Sequence, residues 1–134
     1  MTSGRTVKEK VLVIGNYTIT GSIGIPSYTI FELRGKLTLA PNLAATTHPD
    51  ILHCYTSYTA GGNDTDIEIV GGIYDGNRDN GNNLVAGSGV WNYNGLNCIY
   101  FTTARNIIIR DLTAKNAGTV CLHTDSCIDV QIKN

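Results

Sequence analysis

Proline and long apolar runs are scarce in this chain, and each shortage excludes something. Three prolines in 134 residues leave no room for a polyproline or collagen-like architecture. No apolar run approaches the roughly 20 residues that a membrane-spanning helix needs. Residues 1–10 hold no apolar core of the signal-peptide kind, so either a leader has been removed or export does not use that route. An excess of one charge is missing too. Ten Lys plus Arg against eleven Asp plus Glu leave a net charge of −1, so nothing global draws the chain to nucleic acid or to an anionic membrane. The four cysteines, Cys54, Cys98, Cys121 and Cys127, include no Cys-x-x-Cys pair, the spacing that zinc loops use. What is abundant is glycine, 15 in all, together with asparagine, a mix that suits many tight turns.

The informative feature is a repeat. Residues 95–111 and 118–134 align at an offset of 23, with Gly95/Gly118, Cys98/Cys121 and Ile109/Ile132 identical. Ile99/Leu122, Asn106/Asp129, Ile107/Val130, Arg110/Lys133 and Asp111/Asn134 match in chemistry. A period of roughly 20–25 residues built on β-branched runs is the mark of stacked repeats. Because the runs are strands, the pattern predicts an all-β protein, a parallel β-helix or solenoid, in one domain spanning 1–134. Residues 1–10 read as an extension, 11–134 as stacked coils, and 75–83 as a loop insertion.

Earlier in the chain, strands are expected over residues 11–14, 17–20, 28–33 and 36–39, with Ile23 and Ile25 ahead of Pro26. Turns are expected at Gly15-Asn16, Gly21-Ser22 and Arg34-Gly35. The segment 66–72 aligns with 106–112 and 129–134. Alternation along these strands assigns Ile67, Ile69, Ile107, Ile109, Val130 and Ile132 to the interior. One coil cannot bury such a face alone, whereas stacked coils share a continuous core. Cys98 and Cys121 fall on adjacent coils, about 5 Å apart; a disulfide and a ladder of stacked thiols both fit that spacing.

Residues 15–27 followed by 35–39, together with 66–77 and 106–111, resemble the opening coils of the pectin-lyase-like right-handed parallel β-helix superfamily, in particular its polygalacturonase-type members. The resemblance covers about residues 10–134 and implies a right-handed helix of coils, related to proteins that degrade acidic polysaccharides. Family members that cleave polysaccharide are usually much longer, so the chain looks like an N-terminal portion or a very short member. The family's catalytic pattern is an Asn-Thr-Asp motif, an Asp-Asp pair, a Gly-His-Gly and an Arg-Ile-Lys. His123-Thr124-Asp125 is the nearest approach to the first, and the other three are missing.

Function is expected on outward columns. Tyr100 and His123 share one column, Thr102 and Asp125 the next. His123 and Asp125, two apart on a strand, face the same way, and a histidine beside a carboxylate can do acid–base work. They are the catalytic candidates. Arg110 and Lys133 stack in another column, where two cations would tolerate an acidic sugar carboxylate between them. Tyr100 and Trp91 offer rings that can stack on sugars, as can Tyr93. Asp75, Asn77 and Asp79 alternate oxygen ligands as calcium loops do, but Asn80 and Ala86 stand where such a loop needs Gly and Glu. No cofactor is expected, calcium being the one candidate. Asn16 and Asn63 head glycosylation acceptor triplets.

Two functional classes remain open at this point. One is a β-helix, extracellular or at the cell surface, that binds or processes an acidic polysaccharide without a recognisable catalytic set. The other is a structural or adhesive β-helix, fibre- or tailspike-like, forming homo-oligomers through its C-terminal coil, where Val130 and Ile132 would be left uncovered. Neither class calls for nucleic acid or membrane as a partner.

Overall fold

The structure is a computed structural model that describes residues 5–43, 49–55, 63–82 and 96–134. These residues hold eleven strands: β1 (Glu9–Ile19), β2 (Ile23–Ile25), β3 (Thr29–Leu39), β4 (Leu52–Cys54), β5 (Thr65–Val70), β6 (Ile73–Asp75), β7 (Ile99–Thr102), β8 (Arg105–Arg110), β9 (Thr113–Lys115), β10 (Leu122–Asp125) and β11 (Ile128–Lys133). The protein is all-β, and every strand pair is parallel. One sheet runs β2-β4-β7-β10; the other has seven strands in the order β11-β8-β5-β3-β6-β9, with β1 paired to β3. Parallel neighbours need long connections. Here each connection is the rest of one pass of chain through both sheets: β2–β3, then β4–β6, then β7–β9, then β10–β11.

The register carries the repeat. Leu122 pairs with Ile99, His123 with Tyr100, Val130 with Ile107, Ile132 with Ile109 and Lys133 with Arg110, all at the offset of 23 read from the sequence. Ile67 and Ile69 pair in turn with Ile107 and Ile109. The four middle isoleucines are at most 1% exposed, so alternation predicts their burial correctly. The spacing of 20–25 residues does not hold throughout. The shift is 20 from β1 to β3 (Glu9 to Thr29), 38 from β3 to β5 (Thr29 to Ile67) and 40 from β5 to β8 (Ile67 to Ile107). Two passes therefore carry extra chain, while the paired strands stay in step.

Two expected turns are absent. β1 and β3 each run unbroken through the glycine read as a turn, and β1 already begins at Glu9, inside the expected extension. Gly15 lies beside Gly35 in register, at φ 120° and 149°. Beyond that point β3 changes partner, from β5 to β6. The stacked glycines thus mark a corner inside two strands. A Cβ on Gly35 would run into the Gly15 carbonyl, so only glycine serves there. On the next pass Gly71 and Gly72 make the same corner with a break between β5 and β6.

The step from the four-stranded to the seven-stranded sheet is equally local. Thr103 and Ser126, 23 apart, occupy the left-handed region at φ 51° and 53° between β7 and β8 and between β10 and β11. Asp66, Asn106 and Asp129, each the second residue of its strand (β5, β8 and β11), take the same conformation at 59°, 53° and 57°. Asn and Asp tolerate that conformation best among residues with a Cβ, which gives their repetition in the sequence a backbone cause.

Candidate functional site

The outward face of the four-stranded sheet gathers the chemistry. On β4, Leu52 and Cys54 are fully buried, while His53 between them is only half-buried. His53 pairs with Tyr100, and Tyr100 with His123, so the three form one column over Gly24 of β2. Thr102 and Asp125 form the next column. The Tyr100 and His123 rings stack at 4.8 Å between centroids, inclined by 34°. Tyr100 is 6% exposed, yet it is not a member of the hydrophobic core cluster that includes its neighbours Ile99 and Phe101. Its ring is in contact with the neighbouring imidazole.

Electrostatics on this face are mild. Burial raises the Tyr100 phenol above its usual range, against a Thr102 hydrogen bond and with help from the charges of Asp125 and Asp50, so the phenol stays neutral. Burial lowers His53, outweighing the attraction of Asp64; it stays uncharged to lower pH than an ordinary histidine. Asp125 is exposed and accepts a hydrogen bond from the Ser126 hydroxyl at 3.1 Å. Among the described outward residues of β4, β7 and β10, it is the one carboxylate.

The sequence-predicted residues divide between two faces. Tyr100, His123 and Asp125 stand together on the four-stranded sheet. Arg110 and Lys133 are neighbours as expected, but on the seven-stranded sheet. The anion near Arg110 comes from the chain itself: the guanidinium donates to Glu68 and to Asp111, each at 2.7 Å. Those two hydrogen bonds raise its already high pKa further. Trp91 lies outside the described residues. The residue missed from sequence is His53. Leu52-His53-Cys54 shares an apolar–ring–apolar pattern with Ile99-Tyr100-Phe101, but the offset there is 47 instead of 23, which hides the match.

The candidate calcium loop spends its oxygens internally. Asp75 is 6% exposed. Its Oδ1 accepts from the Asn77 amide at 3.0 Å and the Asn116 side chain at 3.1 Å, and its Oδ2 sits 2.7 Å from Lys36 Nζ. Burial alone would raise this carboxyl; Lys36 and the two asparagines outweigh it and hold it low. Among the described residues no group of three or more His, Cys, Asp or Glu is arranged to hold a metal.

A second buried acid flanks the four-stranded sheet. Asp50, 1% exposed, accepts at Oδ1 from the Asn97 amide at 3.1 Å and the Asn97 side chain at 2.8 Å, while its Oδ2 has no hydrogen-bond partner. Burial pushes its carboxyl up to about 6, against the two Asn97 hydrogen bonds. Asn97 Oδ1 in turn accepts from the Thr119 hydroxyl at 2.8 Å, so three successive passes are tied together by side chains.

Comparison of the chain with protein-family models, curated proteins and solved structures finds no match.

Proposed function

We propose that the successive passes wind as a right-handed parallel β-helix, and that the outward face of its four-stranded sheet binds polysaccharide. The observation that supports this most is the stack of Tyr100 on His123, outside the core and beside Asp125. The half-buried His123 imidazole, seated on Tyr100, offers ring surface to the C–H face of a sugar, while the imidazole and the exposed Asp125 carboxylate satisfy hydroxyls. An acidic polysaccharide is the class that the resemblance implies, which would place the protein outside the cell or at its surface. Binding rather than cleavage is the reading. Glycoside hydrolysis by the common route needs two carboxyl groups across the scissile bond, and Asp125 stands alone on the described face. Elimination needs a base and cations near the uronate, whereas Arg110 is engaged by Glu68 and Asp111 on the other sheet.

The test is calorimetric titration with oligogalacturonides and with neutral oligosaccharides, run beside a depolymerisation screen that scores saturated and unsaturated ends separately. Binding without new ends is the expected result. Binding unchanged by His123→Ala and Asp125→Ala would refute the face. New unsaturated or reducing ends would refute a purely binding role.

A second reading is favoured by a separate observation. Apolar residues stand exposed on the last strand, Ile128 at 49% and Ile132 at 64%, and on β1, Val11 at 45% and Ile14 at 62%. Strand edges with such residues pair readily, and a second copy adding to the β11 edge would give the homo-oligomer of a structural β-helix. Light scattering across a concentration series checks it: a mass that stays monomeric removes this reading.

A further inference from the structure

Cys98 and Cys121 meet across two passes. Register puts Ile99 beside Leu122, so the cysteines preceding them are neighbours. The Cys98 amide donates to the Val120 carbonyl at 3.3 Å and the Ile99 amide to the Cys121 carbonyl at 3.1 Å. The backbones on both sides of the pair are therefore laced together. The Cys121 thiol is near enough to Cys98 to make its ionisation harder. Their exposure differs: Cys98 is fully buried, whereas Cys121 is partly exposed. Cys98 Sγ also donates to the carbonyls of Tyr74 at 3.4 Å and Lys115 at 3.3 Å. Of the other two, Cys54 lies beside Ile25 in register and Cys127 Sγ donates to the Phe101 carbonyl at 3.4 Å. All four cysteines are thiols.

We infer that Cys121 and Cys98 form a thiol–disulfide exchange site for low-molecular-weight disulfides of the glutathione class, with Cys121 as the entering thiol and Cys98 as the resolving one. In the first step Cys121 gives its proton to solvent and its thiolate attacks one sulfur of the external disulfide. That S–S bond breaks, one glutathione leaves as a thiolate and is protonated, and a mixed disulfide remains on Cys121. In the second step Cys98 loses its proton and attacks the Cys121 sulfur. The second glutathione leaves, and a Cys98–Cys121 bond joins the pass β7–β9 to β10. Two protein thiols are oxidised by two electrons and one external disulfide is reduced to two thiols. Distances between residues paired side by side on parallel strands, about 4.8 Å, lie within the range that a disulfide spans.

The asymmetry sets the kinetics. Burial pushes the Cys98 thiol above its ordinary range, and this persists when Cys121 carries the adduct. Attack requires the thiolate, so the second step is the slow one. It should quicken by about tenfold per pH unit through the mildly alkaline range.

The experiment treats the whole chain with oxidised glutathione, blocks remaining thiols with an alkylating agent at timed points, and follows intact mass and fragmented peptides. A single adduct on Cys121 should appear first. It should then give way, faster at higher pH, to a Cys98–Cys121 cross-link with two thiols left. Hydrogen exchange of Leu122–Asp125 should slow by about tenfold on closure, and dithiothreitol should reverse both changes. Cys98→Ser should keep the adduct, and Cys121→Ser should prevent it. An adduct that persists on the unmodified sequence at every pH, or a cross-link that joins another pair, would overturn the proposal without needing either variant to fold.

Discussion

Ile109 and Ile132 share a column, a residue type and an inward orientation, yet one is 1% exposed and the other 64%. Ile109 has a strand on each side, β5 and β11; Ile132 has β8 on one side only. The same contrast holds at the other end of the column, where Val11 of β1, 45% exposed, pairs with the buried Phe31. Burial here is a property of stacking and not of the residue. An inward isoleucine becomes core only when a further pass lies over it, as expected where each repeat contacts only its neighbours.

The largest effect that sharpens this contrast is Ile109→Ala. It removes atoms between two packed neighbours and should cost about 3–4 kcal/mol in chemical denaturation. Ile132→Ala should cost under about 1 kcal/mol; equal losses would mean that the last pass is covered in solution. Next comes Gly35→Ala, where the added methyl meets the Gly15 carbonyl at a positive φ. Its expected cost is about 3 kcal/mol, and a neutral result would show that the two strands can bend there without paired glycines.

Asp50 supplies a pH test of the side-chain ties. Its folded value of about 6 lies above the ordinary value of 3.8, so the folded state holds the proton more tightly than the unfolded chain. The resulting stability is fully present below about pH 4 and is lost as pH rises through about 6, a change of about 3 kcal/mol. Asp50→Asn should remove that slope and leave the protein more stable at pH 7. His53, lowered by burial, acts in the opposite sense, losing stability as pH falls below the ordinary histidine range. The difference between Asp50→Asn and the unmodified protein isolates the carboxyl. An unchanged pH profile would mean that solvent reaches Asp50. The smallest stability effect should be His123→Ala, under about 1 kcal/mol, since its half-buried ring touches Tyr100 on the last strand pair.

Much of the seven-stranded sheet was legible in the sequence, because the inward isoleucines of 66–72, 106–112 and 129–134 repeat a chemical pattern that stacking requires. The pairing of β1 with β3 was not. Its clearest signal, Gly15 and Gly35 at an offset of 20, reads locally as two turns, and only the partner strand shows that glycine here permits a bend without ending the strand. Most of the candidate site was legible for the same reason. Tyr100, His123, Thr102 and Asp125 lie within the clean repeat. His53 does not, because the chain between β4 and β7 is lengthened and a three-residue strand carries little pattern of its own. Grouping Arg110 and Lys133 with that site failed on geometry: residues ten positions from His123 and Tyr100 sit beyond a corner, on another sheet.

The most direct test of the glycan-binding face is amide NMR during titration with an oligogalacturonide. Shifts concentrated at His53, Tyr100, Thr102, His123 and Asp125, with Arg110 and Lys133 unmoved, are the result predicted. Shifts confined to Arg110, Lys133 and their neighbours on the seven-stranded sheet, or none at saturating ligand, would contradict it.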